Sequence, residues 1–168
     1  EQAAERLAGH PVYLRARHLK CNPDSPQRPL RERALRDGKV VFMAVPKLRS
    51  ERCFIRLDPA RIDPGAFRYA ATIKGSAELG EPVRPDEMPR IDLISAGSVA
   101  VAANGARIGK GGGYSDLEFA LTSELDLIAA ETVVVTTVHE AQVVDGNWSV
   151  EAHDVPLDWI FTPSRTIE

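Results

Sequence analysis

Residues 107–116 read Arg-Ile-Gly-Lys-Gly-Gly-Gly-Tyr-Ser-Asp, and this glycine-rich stretch is the strongest indication of the fold class. Glycine adopts positive φ without strain and lets backbone N–H groups approach a ligand closely. Because a polar, helix-compatible segment follows at 117–125, the stretch predicts a turn that enters a helix N-terminus. Unpaired N–H donors and the positive end of the helix dipole make such a turn an anion site, most often for phosphate.

The stretch matches neither of the two common glycine-rich phosphate motifs. It lacks the Gly-Lys-Ser/Thr of a P-loop, and no strand is predicted directly before it, as a dinucleotide fingerprint requires. A plain flexible turn is the alternative, but the flanks argue against it: 91–97 is a short apolar run that breaks at Gly97, and 132–136 is a β-branched run. Strand, turn, helix and strand together indicate an α/β unit, in which ligands bind beyond the carboxyl ends of the strands.

The rest of the chain alternates between predicted strands and helices. Helices are predicted at 2–8 and 27–36, with a short one within 59–89. Strands are predicted at 12–16, 39–45, 53–57, 91–96, 132–136 and 158–162. This alternation favours an α/β fold with a largely parallel sheet, helices on both faces, and parallel pairing of the 91–96 and 132–136 strands.

The composition fits a single domain over residues 1–168. A chain of 168 residues buries about 70% of its unfolded surface, and a net charge of −3 gives no global attraction to nucleic acid or anionic membrane. Cys21 and Cys53 have no CxxC spacing, which disfavours disulfides and favours the cytoplasm. No apolar run approaches the about 20 residues that cross a bilayer, and no signal peptide is visible. Since the chain opens at Glu1 inside a predicted helix, we expect upstream residues to be missing. We also expect the protein to be a monomer or a weak dimer.

The glycine block resembles that of the 5-formyltetrahydrofolate cyclo-ligase family, also called methenyltetrahydrofolate synthetases. The family carries Arg-Leu-Gly-x-Gly-x-Gly-Tyr-Tyr-Asp-Arg. The residues that match this block and its approach are Gly97, Gly105, Arg107, Gly109, Gly111, Gly113, Tyr114 and Asp116. The segments 29–46, 142–144, 153–158 and 162–163 also fit, so the resemblance covers most of the chain.

The resemblance implies a three-layer α/β/α fold of the NagB/RpiA/CoA-transferase-like type. It also implies a reaction in which ATP and Mg²⁺ convert 5-formyltetrahydrofolate to 5,10-methenyltetrahydrofolate, ADP and phosphate. A formamide oxygen is a poor leaving group, and phosphorylation turns it into a good one before the neighbouring folate amine closes the ring. Such an enzyme needs a phosphate cradle, a metal and cations that neutralise the transferring group.

The expected site follows from this chemistry. The catalytic set is Lys110, Arg107 and Tyr114, and the magnesium ligands are Asp116 and Asp154. The nucleotide cradle is Gly109, Lys110, Gly111, Gly112, Gly113, Tyr114 and Asp116. Structural alternatives stay open for each side chain: Lys110 as a solvated loop lysine, Arg107 as a partner of Asp116, Asp116 as a helix N-cap, and Tyr114 as core.

Other candidates carry weaker chemistry. His139, His153, Asp154 and Asp158 lie near the last strands, but their spacing matches no structural zinc site. Cys21 and Cys53 are expected to be buried small hydrophobes.

Departures from the family pattern place the chain nearest to the synthetase domain-containing, cyclo-ligase-like branch. Ser115 and Leu117 stand where the family has a second tyrosine and an arginine. The family's N-terminal basic residues, which hold ATP phosphates, have no counterpart in this sequence, and either they precede Glu1 or they are absent. One alternative is therefore a diverged member that keeps the ATP or phosphate pocket but takes a different substrate.

A second alternative is a non-enzymatic or RNA-binding module. Its basis is the set Arg28, Arg31, Arg33 and Arg36 on one predicted helix. A solvated face balanced by Glu32 and Asp37 is the favoured interpretation of that set. The net charge and the lack of an RNA-recognition signature also disfavour RNA, and no DNA or membrane partner is expected.

Overall fold

The structure is a computed structural model that describes residues 1–45, 51–109, 126–146 and 155–168. The α-helices are α1 Gln2–Ala8, α2 Pro11–Arg15, α3 Arg28–Arg36, α4 Phe67–Ala70 and α5 Ile73–Leu79, and 3₁₀ turns cover Ser25–Gln27, Pro64–Ala66, Pro85–Glu87 and Glu140–Gln142. The strands are β1 His18–Cys21, β2 Val40–Ala44, β3 Phe54–Leu57, β4 Glu81–Val83, β5 Leu93–Ser95, β6 Ala100–Val101, β7 Arg107–Ile108, β8 Val133–Thr137, β9 Trp159–Phe161 and β10 Thr166–Ile167.

Eight strands of the described segments form one mixed sheet in the order β10-β9-β8-β5-β1-β2-β3-β4. The five central strands, β9, β8, β5, β1 and β2, run parallel. The outer strands β3, β4 and β10 pair antiparallel. The expected largely parallel α/β sheet is thus confirmed, including the parallel pairing of β5 with β8. The helix expected at 117–125, between these two strands, lies outside the described residues.

The two faces of the sheet carry separate apolar clusters, because side chains alternate along each strand. Helices α1, α3 and α4 pack on one face, where Leu7, Leu30 and Phe67 meet Leu19 and Leu93. On the opposite face, Phe42, Ile94, Val134 and Ile160 pack with side chains from the connecting segments, among them Met88, Val101, Leu127 and Leu157. None of the helices in the described segments is long and apolar enough to cross a membrane.

The expected strand at 12–16 is wrong. Pro11 begins helix α2 after His10, and the alternation that suggested a strand arises from a buried Tyr13 beside Leu14, which is 62% exposed. The true strand is β1, in the middle of the sheet. Its sequence, His-Leu-Lys-Cys, hides a core strand because Lys20 interrupts the apolar run, although only 3% of Lys20 is exposed.

Candidate active site

Buried polar side chains concentrate at the carboxyl edge of the parallel strands. Ten polar residues are buried in the described part of the chain. Eight of them lie near the carboxyl ends of the parallel strands: at or just after the ends of β1, β5, β8 and β9, or in the helical segment that follows β1. The eight are Lys20, Asn22, Gln27, Arg31, Ser95, Thr136, Thr137 and Thr162. Burying polar groups costs free energy unless they are hydrogen-bonded, so such a concentration marks this edge as the candidate site.

The chain reverses its winding direction between β1 and β5. From β1 it proceeds to β2 on one side, and it later returns to place β5 on the other side of β1. In open α/β sheets, ligands bind in the crevice beyond the carboxyl ends of two such strands. In this protein that position, called the crevice below, is where the segment 22–24 after β1 meets the segment 96–98 after β5.

Asp24 faces this crevice with a buried acceptor. Its Oδ1 meets no hydrogen-bond donor among the described residues. Its carboxylate lies against Gly97, where a Cβ would come 2.9 Å from Oδ1 and 3.0 Å from Oδ2. The Gly97 N–H donates to Asn22 Oδ1 at 3.3 Å. Glycine at position 97 therefore lets the two segments approach, with a buried carboxylate oxygen between them that accepts no hydrogen bond from the described residues.

Arg31 lies behind the 22–24 segment. Its guanidinium is 1% exposed and donates to the carbonyl oxygens of Asn22 at 2.5 Å, Asp24 at 3.0 Å and Pro23 at 3.2 Å. Burial lowers the pKa of Arg31 from its ordinary value. The assignment of Arg31 to a surface set of arginines is therefore wrong, because its side chain points into the protein.

Hydroxyl and amide groups link β5 to β8 at the same edge. Ser95 Oγ donates to Gln27 Oε1 at 2.5 Å, and Thr137 Oγ1 reaches the same oxygen at 3.5 Å. On the opposite side of the sheet, Thr136 Oγ1 donates to the Ala96 carbonyl at 2.7 Å and lies 3.0 Å from Ser98 Oγ. This network holds the segment after β5 in one conformation beside Asp24.

A short hairpin carries the chain from this edge to the glycine stretch. Strands β6 and β7 pair antiparallel, and the Val99 N–H donates to the Ile108 carbonyl at 2.7 Å. The hairpin turns at Gly105, whose φ is +84°. Gln142 Nε2 donates to the Ser98 and Val99 carbonyls at 3.0 and 3.1 Å, which ties the hairpin to the segment after β8. The entrance to the glycine stretch is therefore brought close to the crevice.

Arg107 and Gly109 are the expected site residues that the structure describes. Arg107 is half-buried in β7, and a Cβ at position 109 would lie 3.5 Å from Arg107 Nη1. A guanidinium against the first glycine of the stretch suits a phosphate group, which accepts hydrogen bonds from both. The expected residues outside the described ones are Lys110, Gly111, Gly112, Gly113, Tyr114, Asp116 and Asp154.

Several other candidates have structural roles. Asp158 Oδ2 accepts from the Val134 N–H at 2.7 Å, at the amino end of β8 and β9 and thus far from the crevice. His139 caps the 3₁₀ turn that follows β8. The two cysteines are buried and form no disulfide, and burial raises the pKa of the Cys21 thiol to about 11. Within the described segments, no group of three or more His, Cys, Asp and Glu side chains is placed to hold a metal ion.

The exposed arginines of α3 pair with acids on the same helix. Arg28 and Arg36 contact Glu32 at 3.4 and 2.9 Å, and Arg33 contacts Asp37 at 2.8 Å. Such i,i+4 pairs are typical of a solvated helix face. The geometry therefore favours the balanced face over a phosphate or RNA patch.

Sequence signals for Asp24 and Arg31 were weak. Asp24 stands in the turn-rich segment Asn-Pro-Asp-Ser-Pro. Its position directly after strand β1 is the signal that points to a site, and β1 was not predicted from the sequence. Arg31 differed from its helix neighbours in its spacing: residues 30, 31, 34 and 35 form the buried stripe of α3.

Comparison with known proteins agrees with the fold and with the family resemblance. The model of the 5-formyltetrahydrofolate cyclo-ligase family matches residues 1–163. The methenyltetrahydrofolate synthase domain-containing protein of Mus musculus is 41% identical over 175 residues, and the match covers 99% of this chain. The 5-formyltetrahydrofolate cyclo-ligase of Escherichia coli (strain K12) is 27% identical over 179 residues, with 100% of this chain and 90% of the bacterial protein covered.

The solved structures give the same fold. The NMR structure of Aquifex aeolicus 5,10-methenyltetrahydrofolate synthetase has a TM-score of 0.62 at 21% identity, covering 99% of this chain and 78% of the other. The chain spans only 46% of the length of the mouse relative, so it corresponds to about half of that protein. The match along nearly the whole chain and the shared sheet topology lead to one conclusion: the chain belongs to the 5-formyltetrahydrofolate cyclo-ligase family.

Proposed function

We propose that this chain is a single cyclo-ligase-like domain, cytoplasmic and monomeric or weakly dimeric, that binds ATP, Mg²⁺ and a reduced folate at the carboxyl edge of its sheet. The observation that carries the proposal is the convergence at one crevice of the available Asp24 carboxylate and the entrance to the glycine stretch. Family membership supplies the reaction type. The reaction is the conversion of 5-formyltetrahydrofolate to 5,10-methenyltetrahydrofolate.

The two halves of the crevice suit the two substrates. The pteridine of a reduced folate carries an amino group and ring N–H groups, and Asp24 offers a buried acceptor for such donors. The glycine stretch 109–113, with Arg107 and Lys110, is proposed to surround the nucleotide phosphates, and Tyr114 to contact a bound ring. Asp116 and Asp154 are proposed to hold Mg²⁺ through their oxygen atoms.

The chemistry requires charge neutralisation more than a protein nucleophile. ATP, when bound with Mg²⁺, supplies the phosphoryl group that the formyl oxygen takes up. Arg107 and Lys110 then stabilise the negative charge on that group, and Asp24 holds the pteridine so that the folate amine meets the activated carbon. ADP leaves when the phosphoryl group passes to the formyl oxygen. The folate amine then forms the new C–N bond and loses its proton to solvent, and the C–O bond breaks as phosphate leaves with the former formyl oxygen.

The direct test is the appearance of methenyltetrahydrofolate, followed by absorbance with 5-formyltetrahydrofolate, ATP and Mg²⁺. Asp24→Ala should raise the KM for the folate, whereas Asp86→Ala, at an exposed carboxylate paired with Arg84, should leave it unchanged. Calorimetry that detects neither ATP nor folate binding at millimolar concentration would contradict the proposal.

Ser115 and Leu117 favour a second candidate, a diverged member with a different substrate. Loss of one preorganised charge stabiliser costs about 10²–10³ in rate, so we expect weak activity on 5-formyltetrahydrofolate. Turnover near the enzyme median of about 10 per second would support the cyclo-ligase function in full. A rate hundreds of times lower that rises in the Ser115→Tyr, Leu117→Arg double variant would support the diverged member.

A further inference from the structure

We propose that Arg31 is a positioning residue that places Asp24 and Asn22 at the folate half of the crevice. The identity of the ligand, a reduced folate, rests on the proposed function. The way in which Arg31 acts is argued from its own contacts. Its three neighbours on α3 that point to solvent, Arg28, Arg33 and Arg36, bind carboxylates. Arg31 is buried, and it donates hydrogen bonds to four backbone carbonyls, those of Asn22, Pro23, Asp24 and Ala71.

The geometry of these bonds requires a guanidinium. Nη1 donates to the Asn22 and Asp24 carbonyls, Nη2 to the Pro23 carbonyl, and Nε to the Ala71 carbonyl at 2.9 Å. A planar fork with five N–H donors spans three consecutive carbonyls and a fourth on another helix. A lysine ammonium carries its three donors on one atom and cannot replace this pattern.

The fork fixes the residues that surround Gly97. The carbonyls of Asn22 and Asp24 face Arg31, while the side chains of the same two residues meet Gly97 from the crevice side. Holding both carbonyls therefore sets the direction of both side chains. Arg31 acts on a bound ligand only through them, since its own atoms lie behind the loop and are 1% exposed.

A purely structural role is the alternative. The bond to the Ala71 carbonyl ties α3 to the end of α4, so Arg31 also contributes to packing. A packing residue would lower stability when changed, with no special relation to Asp24. A positioning residue would lose its effect on ligand affinity once Asp24 is removed. A double-mutant cycle separates the two roles.

The experiment measures the Kd for 5-formyltetrahydrofolate in Arg31→Lys, Asp24→Ala and the double variant, with Arg36→Lys as the control on the exposed face of the same helix. We expect Arg31→Lys to weaken binding about 10- to 100-fold in the wild-type background, as small misplacements of a binding group do. In the Asp24→Ala background the same change should cost less than about threefold. Equal losses in both backgrounds would overturn the proposal.

A second readout needs no folate. The Gly97 N–H is held by Asn22 Oδ1, so its hydrogen exchange should accelerate at least about tenfold in Arg31→Lys and stay unchanged in Arg36→Lys. If wild-type protein binds no folate, the proposed function fails, and Gly97 exchange alone decides whether Arg31 positions the loop. Unchanged hydrogen exchange at Gly97 in Arg31→Lys would refute the proposal that Arg31 positions the loop.

Should Arg31→Lys fail to fold, the wild-type protein supplies the test. The Nη protons of Arg31 bond the three loop carbonyls, so their NMR shifts should move when 5-formyltetrahydrofolate saturates the protein. Arg31 Nη shifts that remain fixed at saturation would overturn the proposal.

Discussion

Replacement of Gly97 by alanine should impair folate binding while leaving the fold intact. The new Cβ would lie 2.9 Å from Asp24 Oδ1, 3.0 Å from Oδ2 and 3.1 Å from Cγ, all closer than ordinary contacts allow. The φ of Gly97 is outside the positive range, so alanine meets no backbone strain there. The atoms it strikes belong to the end of a flexible side chain, so the Asp24 carboxylate must retreat by a few tenths of an ångström.

The expected magnitudes differ for affinity and stability. A hydrogen bond to a charged group contributes about 1.5–3 kcal/mol. Partial loss of the Asp24 contact should therefore cost about 1.4 kcal/mol, or about tenfold in Kd. Stability should change by less than about 1 kcal/mol, because alanine lowers the entropy of the unfolded chain and offsets part of the displacement.

Calorimetry with 5-formyltetrahydrofolate and thermal unfolding provide the two measurements. Gly9→Ala is the matched control, since its Cβ would meet only carbonyl oxygens at 3.7 and 3.9 Å. Wild-type affinity in a folded Gly97→Ala variant would refute the reasoning that Asp24 binds the folate at this contact.

Three further predictions concern the nucleotide, acid and the cysteines. Lys110→Ala should weaken magnesium–ATP binding by about 1–3 kcal/mol if a charge-assisted contact is lost, measured by calorimetry, and an unchanged Kd would exclude Lys110 as a phosphate ligand. Hydrogen bonds from the Ser164 hydroxyl and backbone N–H lower the pKa of Glu140 from 4.5 to about 2. This contact therefore stabilises the fold above pH 4.5, and its contribution is lost as the pH falls towards 2. Glu140→Gln should flatten the pH dependence of the melting temperature across that window, and a slope equal to that of the wild type would contradict the assignment. Cys21, buried with its thiol pKa at about 11, should react with a thiol reagent only after unfolding, and rapid labelling of the native protein would show that the strand opens.

Most strands could be predicted from local runs of apolar residues. Prediction failed where the fold buries a polar residue, because the sequence pattern then no longer shows which residues are buried. Strands β2, β5 and β8 are short β-branched or apolar runs, and the parallel pairing of β5 with β8 followed from the α/β rule. Strand β1 was missed because Lys20 is polar yet buried, and burial of one lysine depends on neighbours far away in sequence. The two-residue strands of the β6–β7 hairpin are too short for a periodic pattern.

The candidate site divides in the same way. Glycine spacing is a local property, so the 109–113 stretch could be identified from the sequence. The Asp24–Gly97 contact joins residues 73 positions apart, and the four bonds of Arg31 depend on the course of two loops. The helical spacing places Arg31 on the buried stripe of α3, but it does not show which carbonyls the side chain contacts.

The edges of the sheet have a consequence for self-association. An exposed edge strand recruits other strands through its free N–H and C=O groups. Strand β4 carries Pro82, which has no N–H, and the Pro82 carbonyl accepts from Arg52 Nη1 at 2.9 Å. At the opposite edge, β10 is only two residues long. Both ends of the eight-stranded sheet are therefore poor templates for amyloid-like growth.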